Sequence, residues 1–199
     1  MHAALHSAGR DIAAWHVPGR VELLGKHTDY AGGRSLLAAL DRGLVIGMVP
    51  RSDATVTFLD TASRARASFT IDPALVPLTG RWAGYPMTVA RRIARNFPHA
   101  RRGADLALAS DLPSASGMSS SSALVVATFL ALAEANELQA TDAWRKHLAT
   151  PEALAEYLGC IENGQSFGPL AGDRGIGTFG GSQDHTAIVC CRAGQVSRY

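Results

Sequence analysis

Cysteine is scarce and poorly placed for structural work. Cys160, Cys190 and Cys191 form an odd set, two of them adjacent, with no Cys-x-x-Cys pair. That argues against a disulfide framework and a structural zinc site, and it fits a reducing, cytoplasmic setting. Charge of one sign is lacking too. The formal net charge is +2 and no block of basic residues stands out, so composition offers no footprint for nucleic acid or an anionic membrane. Long apolar runs are missing. The longest, 123–135, is too short to span a bilayer, and Thr128 and Glu134 interrupt it. No apolar stretch behind a basic cap marks the N-terminus as a signal peptide. Internal repeats are absent, and so is the Gly-Lys-Ser/Thr of a Walker loop.

What remains is 199 residues, 47% of them hydrophobic, enough for one substantial domain with a sizeable core. Residues 17–25 read as a short strand or extended entry before a loop. The apolar stretch 35–49 is expected to begin as a helix and finish as a strand over 43–50. Segments 54–60 and 67–71 suit a hairpin, and 72–84, with Pro73, Pro77 and Gly80, a loop. Tyr85, Val89, Ile93 and Phe97 recur at helical spacing, leaving Arg91, Arg92 and Arg95 to face water. A strand is expected over 104–110 and an apolar helix over 120–136. Further helices open at Thr141 and at Thr150-Pro151, where proline suits the first helical position. Glycine-rich 164–181 reads as a loop and 185–191 as a strand.

Three segments carry chemistry. In 113–123, glycine and small hydroxylic residues (Ser116, Gly117, Met118, Ser119, Ser120, Ser121) lie between the expected strand and the apolar helix. Unpaired N–H groups at a helix start and its positive dipole end suit a phosphate, and serine hydroxyls suit phosphate or Mg2+. The same serines suit a helix cap or a linker. In 15–33, the glycine-bounded run Arg20, Glu22, Lys26, His27, Thr28, Asp29 is dense in hydrogen-bonding groups. It suits a polyol site, or a turn capped by Thr28 or Asp29. In 180–186, Asp184 follows two glycines and suits a carboxylate facing a hydroxyl nucleophile, with Glu162 available for Mg2+; an ordinary Asx-turn is the other reading. Phosphoryl transfer needs these parts together.

Taken together, the segments resemble the galactokinase branch of the GHMP small-molecule kinases. Gly19–Gly33 is similar to the family's G-R-V-N-L-I-G-E-H-T-D-Y-N-G-G, departing chiefly at Glu22 and Lys26. Ala115–Ser122 resembles G-x-G-L-S-S-S-A. Gly181–His185 resembles G-I-M-D-Q, with His185 in place of glutamine, and Trp82–Tyr85 resembles W-x-x-Y. The resemblance implies an α+β fold like the second domain of ribosomal protein S5, spanning residues 1–199. It implies ATP and Mg2+ as cofactors and phosphorylation of a sugar at its anomeric hydroxyl. By position in the motifs, Arg20 and Asp184 are catalytic; Lys26, His27, Asp29 and Gly181 contact the sugar; Ser116 to Ser121 hold ATP; Ser121 and Glu162 hold the metal. Lys26 stands where a glutamate is usual, replacing an acceptor by donors, which argues for a sugar other than galactose. The segment 168–178 is longer than in the family and is expected to be a lid or specificity loop. The family's C-terminal glycine-rich motif is not found after Asp184, so the C-terminal domain is expected to be a missing partner. Neither nucleic acid nor a membrane is implied. Two alternatives remain at this point: a kinase for another small alcohol such as mevalonate, and a catalytically silent sugar sensor.

Overall fold

A computed structural model describes residues 11–25, 28, 32–113, 117–176 and 181–199. Strand β1 (Ala13–Leu24) alternates, with Ala13, Trp15 and Val17 turned to the core and Ala14 and His16 exposed, as one buried face requires. It pairs antiparallel with β2 (Leu36–Pro50), from Ala13 opposite Met48 to Leu24 opposite Leu36, with irregularities at Pro18/Arg20 and Glu22/Leu24. The helix expected at the start of 35–49 does not form. β1 offers β2 a ladder along nearly its whole length, and β6 (Ser197–Arg198) pairs with Leu36 and Leu37 on the other side. Backbone groups satisfied from two sides outweigh the helical preference of Leu and Ala.

The expected hairpin is present as β3 (Thr55–Asp60) and β4 (Arg66–Thr70). Strand β5 (Ala104–Ser110) runs antiparallel to β2 and parallel to β3, giving a mixed sheet in the order β1-β2-β5-β3-β4. Leu44, Ile46 and Met48 of β2, Val56 and Phe58 of β3, and Leu106 and Leu108 of β5 join the main core. Val49 and Ala107 form a small second cluster with Ile12.

Among the described residues the α-helices are α1 (Gly84–Asn96), α2 (Ser120–Ala135), α3 (Asp142–His147), α4 (Pro151–Asn163) and α5 (Gln183–Cys190). Helix α2 is apolar around its circumference and correspondingly central, packing on β1 and β2 and against α1, α4 and α5. Burying Leu124, Phe129 and Leu132 contributes roughly 1.5–3 kcal/mol each. Helix α4 starts where Thr150 accepts a hydrogen bond from the Ala153 amide at 3.2 Å, and it ends at left-handed Gly164, as its sequence signals require. Among the described residues, no helix is long and apolar enough to cross a membrane.

Two further expectations are corrected. Arg91 and Arg92 do not face water: Arg92 is fully buried and Arg91 nearly so. Both pair with Asp173, whose side chain is 3% exposed, at 2.8 and 3.3 Å, and Arg95 reaches it at 3.4 Å. Arg92 also donates to the carbonyls of Cys160, Gln165 and Ala171, and Arg91 to that of Arg174. Periodicity could not show that the segment after α4 would cover this face of α1. Second, 185–191 is not a strand but most of α5, because His185, Ala187 and Ile188 are buried at helical spacing. Tertiary packing overrides the β-branched preference of Thr186, Ile188 and Val189.

Candidate active site

Strand β1 and helix α5 bring together residues 164 positions apart. Arg20 donates through Nε to Oδ1 of Asp184 at 2.7 Å, and through a terminal nitrogen to the Gly117 carbonyl at 2.6 Å. Ser119 donates to the other carboxylate oxygen of Asp184. Asp184 lies in the first turn of α5, where the helix dipole favours a negative charge. Gly19 lets the 117–119 segment approach β1. A Cβ there would lie 2.6 Å from Leu112 Cδ2 and 3.0 Å from the Met118 carbonyl, and that carbonyl accepts the Arg20 amide.

The start of α2 has no side-chain cap among the described residues. Its N-cap, Ser119, is left-handed (φ 57°) and makes no capping bond, its hydroxyl being turned to Asp184; the first turn holds no acid. The amides of Ser120, Ser121 and Ser122 therefore lack a side-chain cap, two residues beyond Gly117 at φ 69°. A helix start of this kind receives anions, and the ATP phosphates fit it.

One turn along α2, Ser122 donates to Glu162 Oε2 at 3.0 Å in a buried contact. His185 Nε2 lies 3.0 Å from the same oxygen, without hydrogen-bond alignment. Ser121 turns toward Tyr85. Burial first, and the charge of Glu162 next, push the Tyr85 hydroxyl above its ordinary pKa, against the Ser121 hydrogen bond. Carboxylate and hydroxyl oxygens are the donors Mg2+ prefers, and Glu162 has no lysine or arginine partner among the described residues. The set fits that ion.

Of the expected site residues, Arg20, Asp184, Gly117 and Ser119 are assembled directly. Met118, Ser120, Ser121, Glu162 and Gly181 surround them, the Gly181 carbonyl accepting from Asn163 at 3.2 Å. Lys26, His27, Asp29 and Ser116 lie outside the described residues. The reasoning from sequence missed Ser122, Tyr85 and His185 as neighbours of Glu162. Helical phase was the available signal for Ser122, one turn on from Ser119.

The chain is similar to known proteins in sequence and in fold. Residues 84–169 match the GHMP kinase N-terminal domain, and residues 4–50 match the galactokinase galactose-binding signature. The chain belongs to the GHMP kinase family. Within it the chain is galactokinase-like. It is 42% identical over 125 residues to a galactokinase of Chloroflexus aggregans, covering 61% of this chain and 32% of that protein. It is 32% identical over 181 residues to one from Roseiflexus, covering 88% of this chain and 42% of that protein. The chain thus spans less than half the length of these relatives. Its fold is that of Lactococcus lactis galactokinase, solved with galactose (TM-score 0.75, 21% identity, 94% of this chain and 44% of that one). The Methanococcus jannaschii mevalonate kinase shares the fold at TM-score 0.66 and 14% identity, over 96% of this chain and 53% of that one.

Proposed function

We propose that this chain forms the sugar- and phosphate-binding side of an ATP-dependent sugar kinase that phosphorylates the anomeric hydroxyl. The observation that carries the reading is the Arg20–Asp184 pair at 2.7 Å, set beside the uncapped start of α2. The α2 amides and Ser119 to Ser121 receive the phosphates of ATP, with Ser116, Gly117 and Met118 completing the loop. Arg20, held in place by Asp184 and the Gly117 carbonyl, presents positive charge where charge builds on the transferred group. Asp184 orients the sugar hydroxyl and accepts its proton as the new oxygen–phosphorus bond forms and the bond from the γ-phosphorus to the bridging oxygen breaks, releasing ADP. Lys26, His27, Asp29 and Gly181 hold the remaining hydroxyls. Glu162 with Ser121 and Ser122 would supply oxygen donors for Mg2+, which when bound would offset phosphate charge. The partners are then ATP, a small sugar and the family's C-terminal domain, and the setting is cytoplasmic.

The test is to incubate the full-length protein with ATP, Mg2+ and a panel of aldoses, and to identify products by phosphorus NMR. A sugar 1-phosphate is expected. Phosphorylation of mevalonate in place of any sugar, or sugar binding without turnover, sinks the reading.

A further inference from the structure

Ser119 departs twice from what its place in the chain asks. It is the N-cap of α2, where a residue is ordinarily extended and a serine hydroxyl accepts a bond from an amide of the first turn. It makes no such bond, and its backbone is left-handed at φ 57° and ψ 43°. Glycine adopts that conformation freely, whereas a residue with a Cβ is disfavoured in it. The Ser119 carbonyl accepts the Ala123 amide at 2.9 Å, a bond that glycine would make equally well. What serine adds at this position is the hydroxyl, and the hydroxyl is turned inward. Ser119 is 9% exposed and donates to Oδ2 of Asp184. The two preceding residues hold the other member of the pair. The Gly117 carbonyl accepts from the Arg20 guanidinium at 2.6 Å, and the Met118 carbonyl from the Arg20 amide at 3.3 Å. Three successive residues of the phosphate loop therefore grip Arg20 and Asp184. The Asp184 side chain meanwhile stays 25% exposed, open to a ligand. Backbone strain at a non-glycine residue persists where the surrounding structure enforces it, and it gathers at functional sites.

We infer that Ser119 is a positioning residue whose hydroxyl fixes Asp184 and ties its carboxylate to the phosphate loop. The inference rests on the sugar-kinase reading and refines it: the Ser119 hydroxyl serves the aspartate, and the phosphates fall to the loop backbone and the serines that follow. With Arg20 on one oxygen and Ser119 on the other, the carboxylate is held in a single orientation about its Cβ–Cγ bond. Its remaining lone pairs then keep one direction toward the sugar hydroxyl. Because the same three loop residues hold both members of the pair, a loop ordered by phosphate also orders the groups that act on the acceptor. Orientation of this kind is expressed in turnover rather than in nucleotide affinity.

The experiment uses the full-length protein as Ser119→Gly and Asp184→Asn, singly and combined, with ATP and the aldose that is turned over fastest. Glycine suits the left-handed backbone and removes the hydroxyl. Ser119→Gly is expected to lower kcat roughly tenfold or more, the scale of a lost hydrogen bond to a charged group. ATP affinity by calorimetry is expected to stay within about twofold, and the urea midpoint to be unchanged or raised. Added to Asp184→Asn, the same substitution is expected to cost little further rate in single-turnover measurements, because a residue acting through the carboxylate has nothing left to position. Equal losses in the two backgrounds overturn the inference. An unchanged kcat also overturns it; paired with weaker ATP affinity, that result makes the hydroxyl a phosphate contact instead. A urea midpoint that falls along with the rate makes the serine structural and overturns it too. These failures leave the kinase reading intact. If the unsubstituted protein phosphorylates no aldose, the kinase reading falls and the inference with it. Should Ser119→Gly not fold, Ser119→Ala is read by the same kinetic criteria.

Discussion

At Asp184 both carboxylate oxygens are already engaged, one by Arg20 and one by Ser119. A carboxylate has lone pairs beyond these two, so a hydroxyl can still approach. Asp184→Asn keeps the shape and removes the charge and the proton acceptor. In the full-length enzyme kcat is expected to fall roughly 10²- to 10⁴-fold, with ATP affinity nearly unchanged. Single-turnover phosphorylation at the unsubstituted rate would remove Asp184 from its role. A second residue-scale expectation concerns Cys190. Burial chiefly, then the charges of Glu152 and Cys191, push its thiol up to about 11. Both folded and unfolded thiols stay protonated below the ordinary value of 9. Between there and 11 the unfolded chain ionises first, so this group costs stability as pH rises through that window. Native Cys190 should therefore alkylate slowly with iodoacetamide near pH 8 and speed up only toward 11, as peptide mapping can follow. Rapid labelling at pH 8 contradicts the half-buried placement.

Among the elements, residues 168–178 were expected to be a lid or specificity loop. The described segment 164–176 is fastened to α1 through Asp173 and to the end of α4 through Arg92, and the Ile176 amide donates to the Glu162 carbonyl at 3.1 Å. The fastening thus holds the turn of α4 that carries Glu162. Asp173→Asn leaves two buried guanidinium groups without their counter-charge. Breaking a buried pair in this way costs about 3–5 kcal/mol, to be read from urea unfolding. A loss below about 1 kcal/mol, the scale of a surface pair, would show that the backbone carbonyls alone neutralise the arginines.

For the molecule as a whole, the proposed function links folding to any sugar that binds the native state. A sugar at a hundredfold its Kd should raise unfolding free energy by about 2.7 kcal/mol. Thermal unfolding across an aldose panel therefore ranks sugars without requiring turnover. With Lys26 in place of the family's glutamate, the largest shift is expected from a sugar other than galactose, and Lys26→Glu should move the preference toward galactose. A galactose preference that Lys26→Glu leaves unchanged refutes that role for Lys26.

Much of this was legible in the sequence because the signals are local. Thr150-Pro151 and Gly164 bound α4, the apolar run fixes α2, and alternation fixes the β3–β4 hairpin; each depends on residues within a turn or two of one another. The motif residues Arg20 and Asp184 could also be singled out in advance. Their contact could not, since it depends on β1 and α5 meeting across the fold. The same holds for what was misread. Residues 36–42 are strand because β1 and β6 lie alongside, 183–190 are helix because the core accepts one face of it, and Arg92 is buried because Asp173 waits there. Local sequence sets backbone preference and side-chain chemistry. Which side chains share a low-dielectric space, and so whether a charge is neutralised, solvated or left for a substrate, is decided only when distant elements pack.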